Sequence, residues 1–242
     1  MVPEVEVKIA ESSKKLAKSA AKAMVRLIQN AGTHRFDVAL SGGSTPHKLF
    51  TRLARKHKNS LDWQRVHFWW GDERCVAPDS DESNYLMAYD ALLAELAIPE
   101  ENIHRIMGEA DPEEEALRYG DEIREQLNSR DDLPVFDLVM LGLGEDGHTA
   151  SIFPDRMDLL TSDQVCAVAV HPQTGQQRIT LTGRVINNAN TIYFLVSGEG
   201  KAERISEIMN NDEKAFALPA YHILPVSGTL IWFLDEDASE MI

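Results

Sequence analysis

Short apolar runs alternate with amphipathic stretches along most of the chain. Residues 5–9 alternate apolar and polar positions, as in a strand, and residues 12–30 repeat apolar positions at helical spacing. The remaining apolar runs are predicted as strands over residues 36–40, 66–70, 136–141, 165–170, 178–181, 191–196 and 230–234. Helices are predicted from Pro46 to about His57 and over residues 83–96, 112–128 and 199–210.

This order of elements predicts an α/β fold. Repeated β-α-β units with apolar strands indicate a Rossmann-like, mainly parallel sheet with helices on both faces. The 242 residues show neither a linker nor an internal repeat, so we expect a single domain over residues 1–242.

Three of the predicted strands end in polar turns that contain glycine, at residues 41–45, 71–74 and 142–148. Ligands of open α/β sheets bind beyond the carboxyl ends of the strands. The three turns are therefore expected to meet at one site, although they are far apart in sequence.

The first turn, residues 41–46, reads Ser-Gly-Gly-Ser-Thr-Pro. Its small residues leave amide groups open, and the following helix directs its positive end at the turn, so Gly42, Gly43, Ser44 and Thr45 are candidate phosphate ligands. The alternative is an ordinary strand-to-helix turn in which Ser44 or Thr45 caps the helix.

The second turn reads Gly-Asp-Glu-Arg over residues 71–74. Arg74 could hold a phosphate or carboxylate, and Asp72 or Glu73 could orient Arg74 or a sugar hydroxyl. The alternative is a solvated ion pair. Nothing nearby in sequence activates Cys75, which is interpreted as a spectator.

The third turn carries an acid and a base two residues apart, Asp146 and His148. A histidine can take a proton from an attacking water, and Asp146 could orient its ring or pair with Arg74. The alternative is a structural histidine. The Gly-x-Gly-x-x-Gly string in residues 142–147 is weak support for a dinucleotide, because it lacks a convincing acidic partner downstream.

Two further basic residues are candidate phosphate ligands. Lys201 follows a glycine turn after the strand at 191–196, and Arg178 begins the strand at 178–181. Solvated side chains are the alternative for both. His104, Arg105 and the basic cluster at 52–58 are interpreted as solvated faces, and the other histidines as structural or surface residues.

Charge and cysteine content limit the possible partners and compartment. The chain has 24 Lys and Arg against 39 Asp and Glu, a net charge of −15, which argues against nucleic-acid or anionic-membrane binding. Its two cysteines are far apart without metal-ligand spacing, and it shows no signal pattern and no apolar run of about 20 residues. We expect a cytoplasmic protein without metal or cofactor that is a monomer or weak homodimer.

Taken together, the motifs resemble those of the 6-phosphogluconolactonase family over about residues 5–235. The motifs, in chain order, are residues 41–46, 72–74, 83–85 (Ser-Asn-Tyr), 142–151, 178–182 (Arg-Ile-Thr-Leu-Thr) and 198–202 (Gly-Glu-Gly-Lys-Ala). That family belongs with glucosamine-6-phosphate deaminase to a superfamily of Rossmann-like sugar-phosphate enzymes.

The resemblance implies hydrolysis of 6-phospho-D-glucono-1,5-lactone to 6-phosphogluconate in the oxidative pentose phosphate pathway. In this hypothesis His148 is the general base, Asp146 orients His148 or locks Arg74, and Arg74 holds the substrate near the reacting end or its phosphate. Lys201 would bind the phosphate together with Gly43, Ser44 and Arg178.

Two alternatives remain open. A deaminase of glucosamine 6-phosphate usually has Glu-Pro after the Asp-Gly-His block and Asp-Glu-Tyr at the second turn; this chain has Ser151 to Pro154 and Asp-Glu-Arg instead. A non-catalytic sugar-phosphate sensor would usually carry an added DNA-binding helix pair, for which the sequence gives no sign.

Overall fold

The computed structural model describes residues 3–242. Its strands are β1 (Glu4–Ala10), β2 (Phe36–Leu40), β3 (Val66–Trp70), β4 (Asp72–Arg74), β5 (Ser129–Arg130), β6 (Leu133–Pro134), β7 (Leu138–Leu141), β8 (Cys166–Val170), β9 (Gln177–Leu181), β10 (Thr191–Val196) and β11 (Thr229–Asp235).

The helices alternate with these strands. They are α1 (Ser13–Asn30), α2 (Ser44–His57), α3 (Asn84–Ala88, continued by a π-helical turn at Tyr89–Leu93 and by Ala94–Leu96), α4 (Pro112–Gln126), α5 (Gly183–Asn187) and α6 (Ala202–Met209). Short 3-10 turns lie at Trp63–Arg65, Glu100–Asn102, Pro154–Leu160, Glu199–Lys201, Glu213–Ala217, Pro219–His222 and Asp237–Ser239.

Six strands form the central sheet, in the order β1-β11-β10-β7-β2-β3, and every neighbouring pair is parallel. The inner strands β2, β7 and β10 are buried at every position, as expected for strands covered on both faces. The predicted α/β fold with a mainly parallel sheet is confirmed.

A second sheet adds an antiparallel layer beside the first, in the order β4-β9-β8. The chain passes from β3 into β4 at Gly71, whose amide donates to Leu40 at the end of β2 (2.8 Å). The predicted strands at 165–170 and 178–181 therefore belong to this antiparallel sheet. Residues 72–74 were expected to be a turn; they form its short third strand because their backbone pairs with β9.

The N-cap residue of α2 is not the one that the sequence predicts. Neither Ser44 nor Thr45 is the N-cap; that position belongs to Gly43, which makes no side-chain cap bond. The backbone of Gly43 has φ of 100°, a conformation that favours glycine, and this lets the helix begin at Ser44. A helix without a side-chain cap leaves its first amides available to an outside acceptor.

His104 is not a solvated residue as the sequence suggested. It is buried, stacks on Trp69 with ring centroids 3.8 Å apart, and bonds to Glu122 through Nδ1 (2.7 Å). His67 bonds to the other ring nitrogen (3.0 Å). These contacts make His104 part of the packing between β3 and α4.

None of the helices within residues 3–242 combines the length and apolar character needed to cross a bilayer.

Candidate active site

A pocket of about 230 Å³ lies at the carboxyl end of the central sheet. The neighbouring strands β10, β7, β2 and β3 end there, so the loops that follow them are brought side by side. The lining residues are Ser41, Gly42, Gly43, Asp72, Arg74, Asn84, Gly142, Leu143, Gly144, His148, Ala150, Arg178 and Lys201. The three predicted turns do meet in one place.

One side of the pocket is backbone. We call it the glycine wall: Ser41, Gly42 and Gly43 after β2, and Gly142, Leu143 and Gly144 after β7. A Cβ on Gly42 would collide with the side-chain amide of Asn84, and one on Gly144 would collide with the imidazole of His148. Glycine is required at both positions because neighbouring side chains occupy the space.

His148 sits at the edge of the glycine wall in a closed turn. The amide of Gly144 donates to the carbonyl of His148 (2.8 Å), and the Thr149 hydroxyl donates to the carbonyl of Gly142 (2.9 Å). Both bonds are local and fix the loop that carries the histidine. The ring also packs against Phe153, with centroids 4.9 Å apart.

Asp146 pairs with His148, not with Arg74. Its Oδ1 lies 2.6 Å from Nδ1 of the imidazole and also accepts from the His148 amide (3.1 Å). Burial disfavours the ionised carboxyl, but the hydrogen bond and charge of His148 outweigh it and lower the pKa of Asp146 to about 2. The carboxylate thus holds the ring through Nδ1, and Nε2 is the ring nitrogen that Asp146 does not contact.

Another part of the pocket lining belongs to the antiparallel sheet. We call it the arginine wall: Asp72 and Arg74 on β4, and Arg178 on β9. Arg74 and Arg178 are direct cross-strand partners. Like charges placed opposite each other are unfavourable, so an anion between them would relieve the repulsion.

Both guanidinium groups keep unused donors. The Nε atoms of Arg74 and Arg178 are buried and have no hydrogen-bond partner within residues 3–242. Burial also lowers the pKa of Arg178, with Arg74 adding to the effect and the carboxylate of Asp72 opposing it. The two guanidinium groups give this wall of the pocket a concentration of positive charge.

Two buried residues tie the walls together. The Ser151 hydroxyl donates to Asp72 (2.8 Å), and the Ser151 amide donates to the Thr180 hydroxyl (3.1 Å), so the loop after β7 is attached to β4 and β9. Phe153 contacts the His148 ring on one side and lies under the Arg178 guanidinium (5.7 Å). Phe153 therefore packs between His148 and Arg178.

Glu73 is structural. Its carboxylate accepts from the amides of Arg74 (2.8 Å), Asn84 (2.8 Å) and Tyr85 (2.7 Å), and from the Ser83 hydroxyl (3.1 Å). Burial raises its pKa even though these bonds favour the charged form. Glu73 orients neither a sugar nor the Arg74 guanidinium; it fastens α3 to β4 and thereby positions Asn84.

Lys201 enters the pocket from the turn after β10. It is half-buried, and this burial lowers its pKa, while Glu145 and Asp146 act in the opposite direction. Arg74, Arg178 and Lys201 together concentrate positive charge in a protein whose net charge is −15. Such a local concentration is what binding of a phosphorylated anion requires.

Most of the predicted site residues line this pocket. They are Gly42, Gly43, Asp72, Arg74, His148, Arg178 and Lys201. Ser44 lines an adjoining cavity that shares Gly43 and Arg74. Asp146 reaches the pocket only through His148, and Thr45 lies outside the lining with its hydroxyl bonded to Ser197 (2.7 Å).

Three residues were given no role from the sequence. Asn84 belongs to the quoted Ser-Asn-Tyr motif, which was the available signal, and its amide nitrogen donates to the carbonyl of Asp72 (2.9 Å). Ser151 ends the motif at residues 142–151 and Phe153 lies just beyond it, but neither position indicated a role, because their importance comes from contacts with distant strands. Cys75 matches its interpretation as a spectator, since burial raises its pKa to about 11.

The geometry agrees with comparisons to known proteins. The profile of the family described as glucosamine-6-phosphate isomerases/6-phosphogluconolactonase matches residues 11–232. A 6-phosphogluconolactonase of Treponema pallidum is 41% identical over 194 residues, which is 80% of each chain. The chain belongs to this family.

Solved structures extend the similarity to the whole fold. The crystal structure of the devB protein is 40% identical, covers 98% of this chain and 99% of its own, and has a TM-score of 0.93. The 6-phosphogluconolactonase of Trypanosoma brucei is 29% identical, with 98% of both chains covered and a TM-score of 0.85.

Proposed function

We propose that this protein hydrolyses 6-phospho-D-glucono-1,5-lactone to 6-phosphogluconate, the second step of the oxidative pentose phosphate pathway. The observation that carries the proposal is the Asp146–His148 pair, which stands in one pocket with Arg74, Arg178 and Lys201. A base beside a cluster of cations suits an anionic ester-like substrate. The name of the Treponema relative supports the same activity.

The arginine wall and Lys201 would hold the 6-phosphate. A phosphate beside Arg74 and Arg178 offsets the repulsion between their guanidinium groups. The amides at the start of α2, near Gly43 and Ser44, add donors and the positive end of a helix dipole. Anchoring the phosphate fixes the lactone carbonyl near His148 and reduces the entropic cost of reaction.

His148 would act first as base and then as acid. Its Nε2 takes a proton from water as the water oxygen bonds to the lactone carbonyl carbon, and the carbonyl oxygen becomes an oxyanion. The surrounding cations stabilise this negative charge. The bond from the carbonyl carbon to the ring oxygen then breaks, and the imidazolium returns its proton to that oxygen, leaving a hydroxyl and a carboxylic acid that ionises.

Asp146 supports both steps by position and charge. It holds Nδ1–H, so that Nε2 is the basic nitrogen, and it stabilises the imidazolium that forms between the two steps. Thr45 has no direct role in this scheme, since its hydroxyl is bonded to Ser197. Its contribution is to hold the start of α2 against the turn after β10.

The test is a lactone-hydrolysis assay with the spontaneous rate subtracted. We expect rapid hydrolysis of the 6-phosphorylated lactone and much slower hydrolysis of the unphosphorylated gluconolactone, because only the first engages the cations. Ammonia release from glucosamine 6-phosphate is measured beside it. Ammonia release without lactone hydrolysis would overturn the proposal in favour of a deaminase, and the absence of both activities would favour a sensor.

We further propose that the protein works in the cytoplasm. Its two cysteines, Cys75 and Cys166, are unpaired in the structure, and Cys166 is buried. A protein that keeps free thiols suits a reducing compartment. Fractionation of the source cells, followed by detection of the protein, checks this.

A further inference from the structure

The two edge strands of the central sheet are covered to different extents. At the β3 edge, the chain near Ile103 and His104 covers the strand: Ile103 forms a bridge with Phe68, and the His104 amide donates to the Phe68 carbonyl (2.9 Å). At the other edge, β1 has β11 as its one strand neighbour within residues 3–242. An uncovered edge strand is a template for pairing with another chain.

The free edge of β1 also exposes apolar side chains. Val5, Val7 and Ile9 are 52%, 43% and 55% exposed. They alternate with Glu6 and Lys8, which lie on the other face of the sheet and form an ion pair of 2.7 Å. The edge strands of soluble proteins are usually protected by charges or bulges. On its exposed face, β1 instead presents a row of branched apolar residues.

The backbone of the same residues is directed outward. The Glu4 amide donates to the Gly228 carbonyl (2.9 Å), and the Ala10 carbonyl accepts from the Glu236 amide (3.0 Å). The first and the last even-numbered residues of β1 therefore direct these backbone groups towards β11. Along a parallel strand the direction of the backbone groups alternates from residue to residue. Val5, Val7 and Ile9 therefore direct their N–H and C=O groups away from the sheet.

We propose that β1 pairs with β1 of a second copy of this chain, antiparallel and centred on Val7. In this register Val7 lies across from the partner's Val7, and Val5 lies across from the partner's Ile9. All three are residues with outward backbone groups, so each of these pairs can exchange its two hydrogen bonds. The two six-stranded sheets would join across a two-fold axis.

The register also places each charged residue across from a residue of opposite charge. Glu6 lies across from the partner's Lys8, and Lys8 across from the partner's Glu6, at the closely spaced positions between the hydrogen-bonded pairs. A two-fold interface requires a surface that is complementary to itself, and the sequence Val-Glu-Val-Lys-Ile satisfies this in both its apolar and its charged positions. A shift of one residue would place Glu6 opposite an apolar residue and break the match.

The dimer is expected to be weak. One short strand pair buries less than the about 1,200–2,000 Å² of a stable interface. The active-site pocket is formed within one chain, at the carboxyl end of β10, β7, β2 and β3. Catalysis therefore does not require the dimer, and this inference stands apart from the proposed function.

Sedimentation velocity and amide hydrogen exchange of the full chain test the proposal. From micromolar to millimolar concentration, the amides of Val5, Val7 and Ile9 should become protected as dimer appears. The amides of Glu6 and Lys8, bonded to β11, should stay protected at all concentrations. A chain that stays monomeric, or a dimer that leaves the exchange of the three outward amides unchanged, overturns the proposal.

Charge variants test the register. Glu6→Lys or Lys8→Glu alone places like charges in both cross-strand pairs and should weaken the dimer about tenfold or more. The double variant Glu6→Lys/Lys8→Glu restores the pairs and should recover dimerisation. Glu11→Lys, the same charge change at an exposed residue outside β1, is the control and should leave association unchanged. Failure of the double variant to recover, with its lactonase activity intact as a check of folding, contradicts this register.

Discussion

The glycine wall faces the pocket with backbone, whereas the arginine wall faces it with long charged side chains. The first is made by loops that follow parallel strands β2 and β7, and the second by cross-strand neighbours of an antiparallel sheet. This backbone surface has little freedom to adapt at two points, because a side chain added at Gly42 collides with Asn84 and one added at Gly144 collides with His148. A guanidinium surface tolerates changes of shape but depends on charge.

Because of this difference, we expect the two walls to have different roles in the site. We propose that the glycine wall positions His148, since the turn from Gly142 to Thr149 is closed by its own hydrogen bonds. We propose that the arginine wall attracts the anionic substrate, since it places two guanidinium groups on neighbouring strands. Changes on the glycine side should therefore lower turnover, and changes on the arginine side should weaken substrate binding.

The largest effect is expected at His148. His148→Ala removes the base while leaving the cations in place, so kcat should fall by about 10²–10⁴-fold with little change in KM. Steady-state kinetics with the spontaneous rate subtracted measures both constants. His34→Ala, an exposed histidine outside the pocket, is the control. A kcat within about threefold of the unmodified protein would mean that His148 is not the base.

A smaller loss of turnover is expected from Gly144→Ala. The new methyl group would collide with the His148 ring and the Asp146 carboxylate, displacing the pair, and a displacement of this size can cost about 10²-fold in rate. Gly120→Ala is the control, because a Cβ there meets only ordinary contacts, the nearest at 3.5 Å. The two variants should differ in kcat far more than in thermal stability; equal kcat values would show that the glycine wall does not position the base.

On the arginine wall, Arg178→Gln should mainly raise KM. Loss of a charge-assisted contact to phosphate costs about 1.5–3 kcal/mol, or about 10-fold or more in affinity. Arg178→Lys should recover part of the loss, since it keeps the charge without the fork. KM for the unphosphorylated lactone should not change. If kcat falls while KM stays constant, the side chain acts at the reacting carbonyl instead of at the phosphate.

The parallel half of the fold was readable from sequence for a physical reason. Strands buried on both faces must be mostly apolar, and the predicted bounds of residues 36–40, 66–70 and 191–196 are those of β2, β3 and β10. Their glycine-rich ends mark the ligand side by a general rule of open α/β sheets. His148, the glycines and Lys201 could be selected as candidate site residues on that ground.

The residues of the arginine wall were candidates from the sequence, but their pairing could not be derived in this way. β4 is three charged residues long, too short for a period, and its strand character comes from pairing with β9 about a hundred residues later. Arg74 and Arg178 are cross-strand partners because of the register between β4 and β9, which are far apart in sequence. Thr45 is the opposite case. Its motif predicts a phosphate ligand, but its hydroxyl is bonded to Ser197, which lies 152 residues away in sequence.

The smallest effect should come from Lys201, which lines the same pocket after β10, and it depends on pH. Burial lowers the pKa of Lys201, so its charge, and with it phosphate affinity, is lost as pH rises through a value below the usual about 10.4. Binding of 6-phosphogluconate, measured by calorimetry, should weaken at alkaline pH in the unmodified protein. The product is the better probe here because it cannot hydrolyse.

Substitutions separate this titration from other causes. Lys201→Met should bind about tenfold more weakly at neutral pH and lose the alkaline dependence, because no charge remains to titrate. Lys201→Arg should bind within a few-fold of the unmodified protein and also lose the dependence, because a guanidinium stays charged over the same range. Lys18→Arg, an exposed lysine of α1, is the control and should change neither. An alkaline loss of affinity that persists in Lys201→Arg would assign the titration to another group and leave the phosphate to the arginine wall alone.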